Sequence, residues 1–191
     1  EDLANYHVEY ETPAKTSFMG HEIHTQSFWT QAPVLLQALN ILENFDLKGM
    51  GHNSTAYSHM ITEALKLALA DRQAYYGDPN FATIPMDGLL SKEYGKERAS
   101  LIDSGKASPG LPSAGNPWRY STLSGVPQVT HTAEAAGSDG GGGDDGGTTH
   151  VSVIDRDGNM VCATPSGGSF GKSVFFEDLG CALSTRIEMF N

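Results

Sequence analysis

A run rich in glycine divides this sequence into two parts with different patterns of apolar residues. Residues 137–147 read Gly-Ser-Asp-Gly-Gly-Gly-Gly-Asp-Asp-Gly-Gly, and glycine, proline and serine are frequent from residue 104 onward. Such a stretch offers few side chains to a core, and fixing its backbone costs much conformational entropy. We therefore predict a flexible linker over residues 111–147, which separates residues 1–110 from residues 148–191.

The part before the linker has the pattern of a helical layer. Pro33 suits a first helical turn, and apolar residues dominate residues 33–45, which predicts a largely buried helix. Ser54 is a suitable N-cap for a second helix over residues 54–76, and Gly77 is suited to end it.

Weaker patterns surround these two helices. A third helix is predicted over residues 91–103. Tyrosine and valine alternate with polar residues over residues 6–10, and Ile23 lies between polar neighbours, which favours a short strand at each place.

The part after the linker begins with a strong hairpin pattern. Short runs of alternating apolar residues at 151–153 and 161–163 flank Asp157-Gly158. Asp-Gly between two such runs is typical of a β-hairpin. Thr148 therefore lies where a linker meets a well-formed strand.

The position of Thr148 makes it a candidate nucleophile. A threonine hydroxyl needs a base, and its own α-amine, with a pKa of about 8, can serve when that residue begins a chain. A mid-chain threonine reaches this state if its hydroxyl attacks the preceding carbonyl and water hydrolyses the resulting ester. Gly146 and Gly147 tolerate the distorted backbone that this attack needs. From the local residues alone, an ordinary loop entering a strand is the alternative.

Several segments, in the right order, resemble a known family. Residues 148–159, Thr-Thr-His-Val-Ser-Val-Ile-Asp-Arg-Asp-Gly-Asn, resemble the start of the small subunit of the gamma-glutamyltranspeptidase family, and residues 163–171 continue the match. Upstream, residues 39–43, Ala-Asp-Arg at 70–72 and Tyr-Gly-Asp-Pro at 76–79 resemble the end of its large subunit. The family also includes cephalosporin acylases and related amidohydrolases.

The resemblance covers roughly residues 2–105 and 146–190, and it implies a fold. Members are N-terminal-nucleophile hydrolases, α+β proteins in which two packed β-sheets lie between helices (αββα), and this chain would be a fragment of that sandwich. Residues 1–110 would belong to the C-terminal part of the large subunit and residues 148–191 to the N-terminal part of the small subunit. The remainder of both subunits is the implied partner, and the oxyanion-hole glycines are expected beyond Asn191.

The resemblance also implies which residues perform the chemistry. Thr148 would be the catalytic nucleophile, freed by cleavage of the Gly147–Thr148 bond. Ser166 would support it through its hydroxyl, at a position where transpeptidases carry threonine. Substrate-binding positions fall on Gly168, where transpeptidases carry asparagine, and on Arg186.

Departures from the transpeptidase pattern bear on the substrate. Those enzymes hold the glutamyl α-amine with an acidic or amide residue and then an aspartate, where this chain has Arg186 and Met189. A cation in place of an anion favours a carboxylate-bearing acyl group, which arginine can bind with two hydrogen bonds. The resemblance thus implies a self-processing hydrolase or acyltransferase near the cephalosporin acylase branch. The alternative is an unprocessed homologue that serves as a binding or structural module.

Three further sites receive structural interpretations. Asp71 and Arg72, inside the second helix, are expected to form an interhelical or surface ion pair rather than to act in catalysis. His150, beside Thr148, is assigned a structural role in preference to a catalytic one. Cys162 and Cys181 are expected to be buried thiols, with a disulfide between them as the alternative.

Charge and composition exclude other classes. The net charge of −11 and the lack of a basic patch argue against nucleic acid as a partner. No apolar run reaches the roughly 18 residues that a membrane-spanning helix needs. Residues 167–173 lack the spacing of a phosphate loop, because Ser166 stands where that loop needs glycine. An acyl-enzyme reaction on a small-molecule amide requires no cofactor or metal, and the sequence leaves the compartment and homo-oligomerisation open.

Overall fold

The computed structural model describes residues 5, 7, 10–123, 150–164, 175–179 and 181–182. Its contacts divide the chain into two units, Glu1–Ala135 and Ala136–Asn191. Among its described residues, the first unit contains the helices described below and one β-hairpin. The second contains short antiparallel strand pairs.

Helix α3, Thr55–Tyr75, is the long helix of the first unit and begins where the sequence predicts. The hydroxyl of Ser54 accepts a hydrogen bond from the Tyr57 amide at 3.1 Å, which satisfies an amide that the first turn leaves free. Tyr76 has extended backbone angles and ends the helix before Gly77. One face of α3 is buried, at Met60, Glu63, Ala64, Leu67, Ala68, Ala70 and Asp71.

Helix α1, Pro33–Leu42, packs against α3 and ends before the predicted residue 45. The side-chain amide of Asn44 donates to the carbonyls of Asn40 and Ile41, so it takes over acceptors of the last helical turn. Two short helices that the sequence analysis did not identify follow in the chain, α2 at Leu47–Met50 and α4 at Met86–Leu89.

Helix α5, Lys92–Ala99, is the third predicted helix, with Ser91 as its N-cap. It is shorter than predicted. After Ala99 the amides of Leu101 and Ile102 bond to carbonyls three residues back, which tightens the chain and ends the regular helix.

A β-hairpin, β1 at Ala14–Phe18 and β2 at His21–Thr25, packs beside α1. Met19 and Gly20 both have positive φ, 49° and 83°, as a two-residue hairpin turn requires. Strand β2 confirms the strand predicted at Ile23, whereas β1 was not predicted. The strand predicted over residues 6–10 lies largely outside the described residues, and Tyr10 has no regular structure.

The core of the first unit consists of small clusters between these elements. One joins α1 and α3 through Ile41, Leu42, Met60, Ala64 and Leu67. Another surrounds Tyr94 and includes Phe28, Ile84 and Leu89. No helix in the described part of the chain is both long and apolar enough to cross a membrane.

The second unit contains the predicted hairpin. Strand β3, Val151–Ile154, pairs antiparallel with β4, Met160–Ala163. Further along, β5 at Phe175–Phe176 pairs with β6 at Cys181–Ala182, with a 3-10 turn at Glu177–Leu179 between them.

Candidate active site

The hairpin after Thr148 is the part of the expected catalytic region that the structure describes. Strand β3 begins at Val151, three residues after Thr148. The residues assigned to catalysis, cleavage and substrate binding lie outside the described residues and stay predictions: Gly147, Thr148, Ser166, Gly168 and Arg186. Met189 also lies outside them.

The turn of this hairpin is fixed by one carboxylate. Asp155 accepts hydrogen bonds from the amides of Asp157 and Asn159, each at 2.9 Å, and from the Asn159 side chain at 2.8 Å. These bonds, with that of the Asn159 side chain as the main cause, lower the pKa of Asp155. Gly158 supplies the positive φ of 85° that closes the loop. The Asp-Gly signal therefore predicted the hairpin correctly.

His150 connects the beginning of β3 to the end of β4. Its Nδ1 is 2.8 Å from the hydroxyl of Thr164, and its Nε2 is 2.7 Å from the hydroxyl of Ser152. Which ring nitrogen donates depends on the tautomer, and a hydroxyl can serve as the partner in either role. Both ring nitrogens are thereby engaged two residues after Thr148.

The apolar side chains of the hairpin are exposed in this unit. Val151 and Val153 retain 49% and 54% of their accessible surface. Cys162 is an exposed free thiol whose Sγ lies 3.4 Å from the Ser152 hydroxyl, so the expected burial of this cysteine is wrong. The reason is that no other described element of this unit packs on either face of the β3–β4 strand pair, so its side chains stay exposed. The side chain of Cys181 is outside the described set.

In the first unit, the most buried charged group is an interhelical ion pair. Asp71 on α3 has no exposed surface, Arg98 on α5 is 3% exposed, and Oδ1 of the aspartate lies 3.3 Å from a guanidinium nitrogen. Asp71 also accepts the Gly115 amide at 2.9 Å and the Gln37 side-chain amide at 3.4 Å. The interhelical alternative is confirmed for Asp71, with Arg98 as the partner, whereas Arg72 forms no ion pair with the described residues.

The electrostatics of this pair indicate a structural role. Burial raises the pKa of Asp71, and the opposing effects of Arg98 and the Gly115 amide do not cancel that rise. Burial likewise raises the pKa of Tyr94, which lies beside the pair. A carboxylate enclosed by an arginine and an amide has little access to a substrate. Sequence reasoning missed Arg98, because nothing local marks which cation will meet Asp71.

A cavity of about 330 Å³ lies beside Arg98, between α3, α5 and residues 108–115. The carboxylates on its wall already have partners. Oε1 of Glu63 is 2.8 Å from Nζ of Lys66, and Oε2 of Glu97 accepts a hydrogen bond from the hydroxyl of Tyr120 at 2.7 Å. The described residues also contain no cluster of three or more side chains suited to a metal ion. This cavity is therefore a weaker site candidate than the region of Thr148.

Known proteins resemble this chain along its whole length. The sequence profile of the gamma-glutamyltranspeptidase family matches residues 1–191. The glutathione hydrolase proenzyme of Bacillus subtilis (strain 168) is 32% identical over 194 residues, which is 100% of this chain and 32% of that protein. The acylase ACY 1 proenzyme of Pseudomonas sp. (strain SE83) is 36% identical over 175 residues, 91% of this chain and 27% of that protein.

The structural comparison agrees with these relatives. The crystal structure of cephalosporin acylase from Bacillus halodurans matches with a TM-score of 0.69 and 26% identity, over 97% of this chain and 28% of that one. This confirms the expected α+β class of the N-terminal-nucleophile hydrolases. The chain spans about a third of the length of the relatives it matches. With a family profile that covers every residue, the chain belongs to the gamma-glutamyltranspeptidase family.

Proposed function

We propose that the protein is a self-processing amidohydrolase or acyltransferase whose nucleophile is Thr148. The observation that carries this proposal is the family match across the Gly147–Thr148 junction, which lies directly before the β3–β4 hairpin. Relatives that match across the same region are named proenzymes of a glutathione hydrolase and an acylase. The name proenzyme is consistent with a precursor that must be cut.

The proposed processing step uses residues of the junction alone. The hydroxyl of Thr148 attacks the carbonyl carbon of Gly147, the C–N bond between the two residues breaks, and the hydroxyl proton passes to the departing amine. Water then hydrolyses the ester, which leaves a carboxylate on Gly147 and a free α-amine on Thr148. The two preceding glycines impose the least steric resistance to the bent backbone of this step.

The proposed catalytic cycle then uses the new α-amine as the base. It takes the proton of the Thr148 hydroxyl, the oxygen attacks the substrate amide, and the amine product leaves with that proton. The resulting acyl-enzyme is transferred to water or to an acceptor amine. Ser166 would hold the nucleophile by a hydrogen bond, and the β3–β4 hairpin would give the new chain end a rigid base.

For the substrate we propose an acyl group that carries a carboxylate. Arg186 offers a guanidinium that can bind a carboxylate with two hydrogen bonds, and Gly168 leaves space where transpeptidases carry asparagine. The partner pieces would be the remainder of the large and small subunits. A second candidate, an unprocessed homologue that binds without catalysis, uses the same fold without the cut.

Processing is tested on the full-length protein by a denaturing gel and N-terminal sequencing. We expect two bands, with the smaller beginning at Thr148, and a single band for Thr148→Ala. Thr148→Ser should still be cut, because it keeps a hydroxyl on the same carbon. A wild-type chain that stays intact would refute the proposal and support the non-catalytic alternative.

The substrate proposal has its own experiment. The processed protein should hydrolyse carboxylate-bearing acyl amides faster than a gamma-glutamyl anilide, and Arg186→Gln should raise KM for the former by about tenfold or more, the loss of one charge-assisted pair. The reverse preference in the wild type would refute the role of Arg186 and leave the nucleophile proposal intact.

A further inference from the structure

The segment at residues 108–122, which we call the strap, runs from the region after α5 across the helices of the first unit. It contains little regular structure apart from a 3-10 turn at Pro117–Tyr120. Side chains of α3, α4 and α5 bind its backbone at several points. The strap is also the last described stretch before the junction at Thr148.

Three carboxylates accept three backbone amides of the strap, and they do so at its beginning, middle and end. Glu63 accepts the Ser108 amide at 3.2 Å, and Asp71 accepts the Gly115 amide at 2.9 Å. At the far end, Asp87 accepts the Thr122 amide at 2.6 Å. Hydrogen bonds to a charged acceptor are about twice as strong as neutral ones, so these contacts hold an otherwise irregular chain.

The carbonyl groups of the strap are bound as well. Lys66 donates to the carbonyl of Ser108, and Arg98 donates to that of Ser113 at 3.0 Å. The hydroxyl of Tyr75 donates to the Gly115 carbonyl at 2.7 Å. The Gly115 peptide is thus bound through both its N–H and its C=O, by two residues of the same helix.

Close packing fixes the second half of the strap. A side chain at Gly88 would overlap the carbonyl oxygen of Pro117, so only glycine permits this approach. Pro117 is itself buried. The hydroxyls of Ser121 and Thr122 each donate to Asp87 at 2.6 Å, in addition to the Thr122 amide. Asp87 therefore makes three bonds to the last two residues of the strap.

We propose that the strap stays docked on the helices when the Gly147–Thr148 bond is cut, and that Asp87 is the clamp that holds Ser121 and Thr122 there. The cut would then leave residues 108–122 bound to α3, α4 and α5. The reasoning is that every contact named above lies on the N-terminal side of the junction, so the cut removes none of them. The proposal deepens the proposed function and rests on it for the cleavage itself.

The test is hydrogen–deuterium exchange on the full-length protein, read from peptides of residues 108–115 and 118–123. The processed wild type is compared with uncut Thr148→Ala, and we expect equally slow exchange of the strap in both. In Asp87→Asn, exchange at 118–123 should accelerate by about tenfold while 108–115 stays unchanged, since one charged acceptor has been neutralised. Asp78→Asn is the matched control, because Asp78 bonds the nearby Asn80 amide instead of the strap.

Two results would overturn the proposal. One is a strap that exchanges about ten times faster after the cut than in Thr148→Ala. The other is an Asp87→Asn variant whose exchange at 118–123 equals that of Asp78→Asn. If the wild type remains a single band on the gel, self-processing fails instead. The comparison of Asp87→Asn with Asp78→Asn in that uncut chain then decides whether the clamp exists.

Discussion

The substitution Asp71→Asn tests the buried ion pair between α3 and α5. Asparagine preserves the volume of the side chain and an oxygen that can accept the Gly115 amide, so the substitution removes mainly the charge. Arg98 would remain 3% exposed without its counter-ion, although it would still donate to the carbonyls of Leu67 and Ser113. The first unit should therefore become less stable.

The expected magnitude follows from this geometry. Removing one partner of a buried ion pair typically costs about 3–5 kcal/mol. Because Asp71→Asn also removes the desolvation cost that raises the pKa of Asp71, and because Arg98 keeps two carbonyl bonds, we expect a smaller loss of about 1–2 kcal/mol. The free energy of unfolding is measured by urea titration of the full-length protein at pH 7, for the transition that carries α3 and α5. Arg98→Met and the double variant complete a cycle, in which we expect a coupling of about 1–3 kcal/mol.

The control for this experiment is Glu22→Gln. Glu22 pairs with Lys15 at 3.0 Å on the exposed β1–β2 hairpin, where solvent screens the interaction. The urea midpoint of the Glu22→Gln variant should equal that of the wild type. The reasoning is refuted if Asp71→Asn shifts the midpoint no more than Glu22→Gln does, or if Asp71→Asn and Arg98→Met are additive.

Three further predictions concern stability. Burial opposes ionisation of Glu63, but hydrogen bonds from Lys66 and Ser108 outweigh it and lower its pKa to about 2. The stabilising effect of the ionised carboxylate is therefore present above pH 4.5 and lost as the pH falls toward 2. Glu63→Gln should lower the free energy of unfolding by about 1–3 kcal/mol in urea titrations at pH 6 and by less at pH 3, and an equal loss at both would contradict this. Gly88→Ala should cost about 1–3 kcal/mol in the same assay because its methyl group meets Pro117, whereas Gly105→Ala, with 3.6 Å to its nearest neighbour, should be neutral. Ser54→Ala should lower the stability by about 1 kcal/mol through loss of the α3 cap, and an unchanged thermal midpoint would show that the cap contributes nothing.

The sequence alone identified the elements that short-range rules control. The N-cap of α3 at Ser54, the start of α1 at Pro33 and the β3–β4 hairpin around Gly158 were predicted correctly, because caps, proline and Asp-Gly turns act within a few residues. Strand β1 was missed. Its pairing with β2 depends on a turn in which Met19 has a positive φ, and no sequence pattern predicts a positive φ at a methionine.

For the candidate site, the sequence contributed the junction, and the structure contributed the hydrogen bonds of the β3–β4 hairpin that follows it. Thr148 was predicted as the nucleophile from the junction of linker and hairpin and from the family resemblance, and both are properties of the sequence. The pairing of Asp71 with Arg98 required the structure, since a carboxylate within a helix does not indicate which distant cation it will meet.

The strap shows the same division most clearly. By composition, residues 111–122 belong to the stretch assigned to the linker, and the boundaries of that linker stay predictions. In the structure, side chains of α3, α4 and α5 bind this segment at Ser113, Gly115 and Thr122. The amino-acid order by itself determined helices α1, α3 and α5, the β3–β4 hairpin and the family. Only the tertiary structure decided which irregular backbone is held in place, because the groups that bind it come from helices distant in sequence.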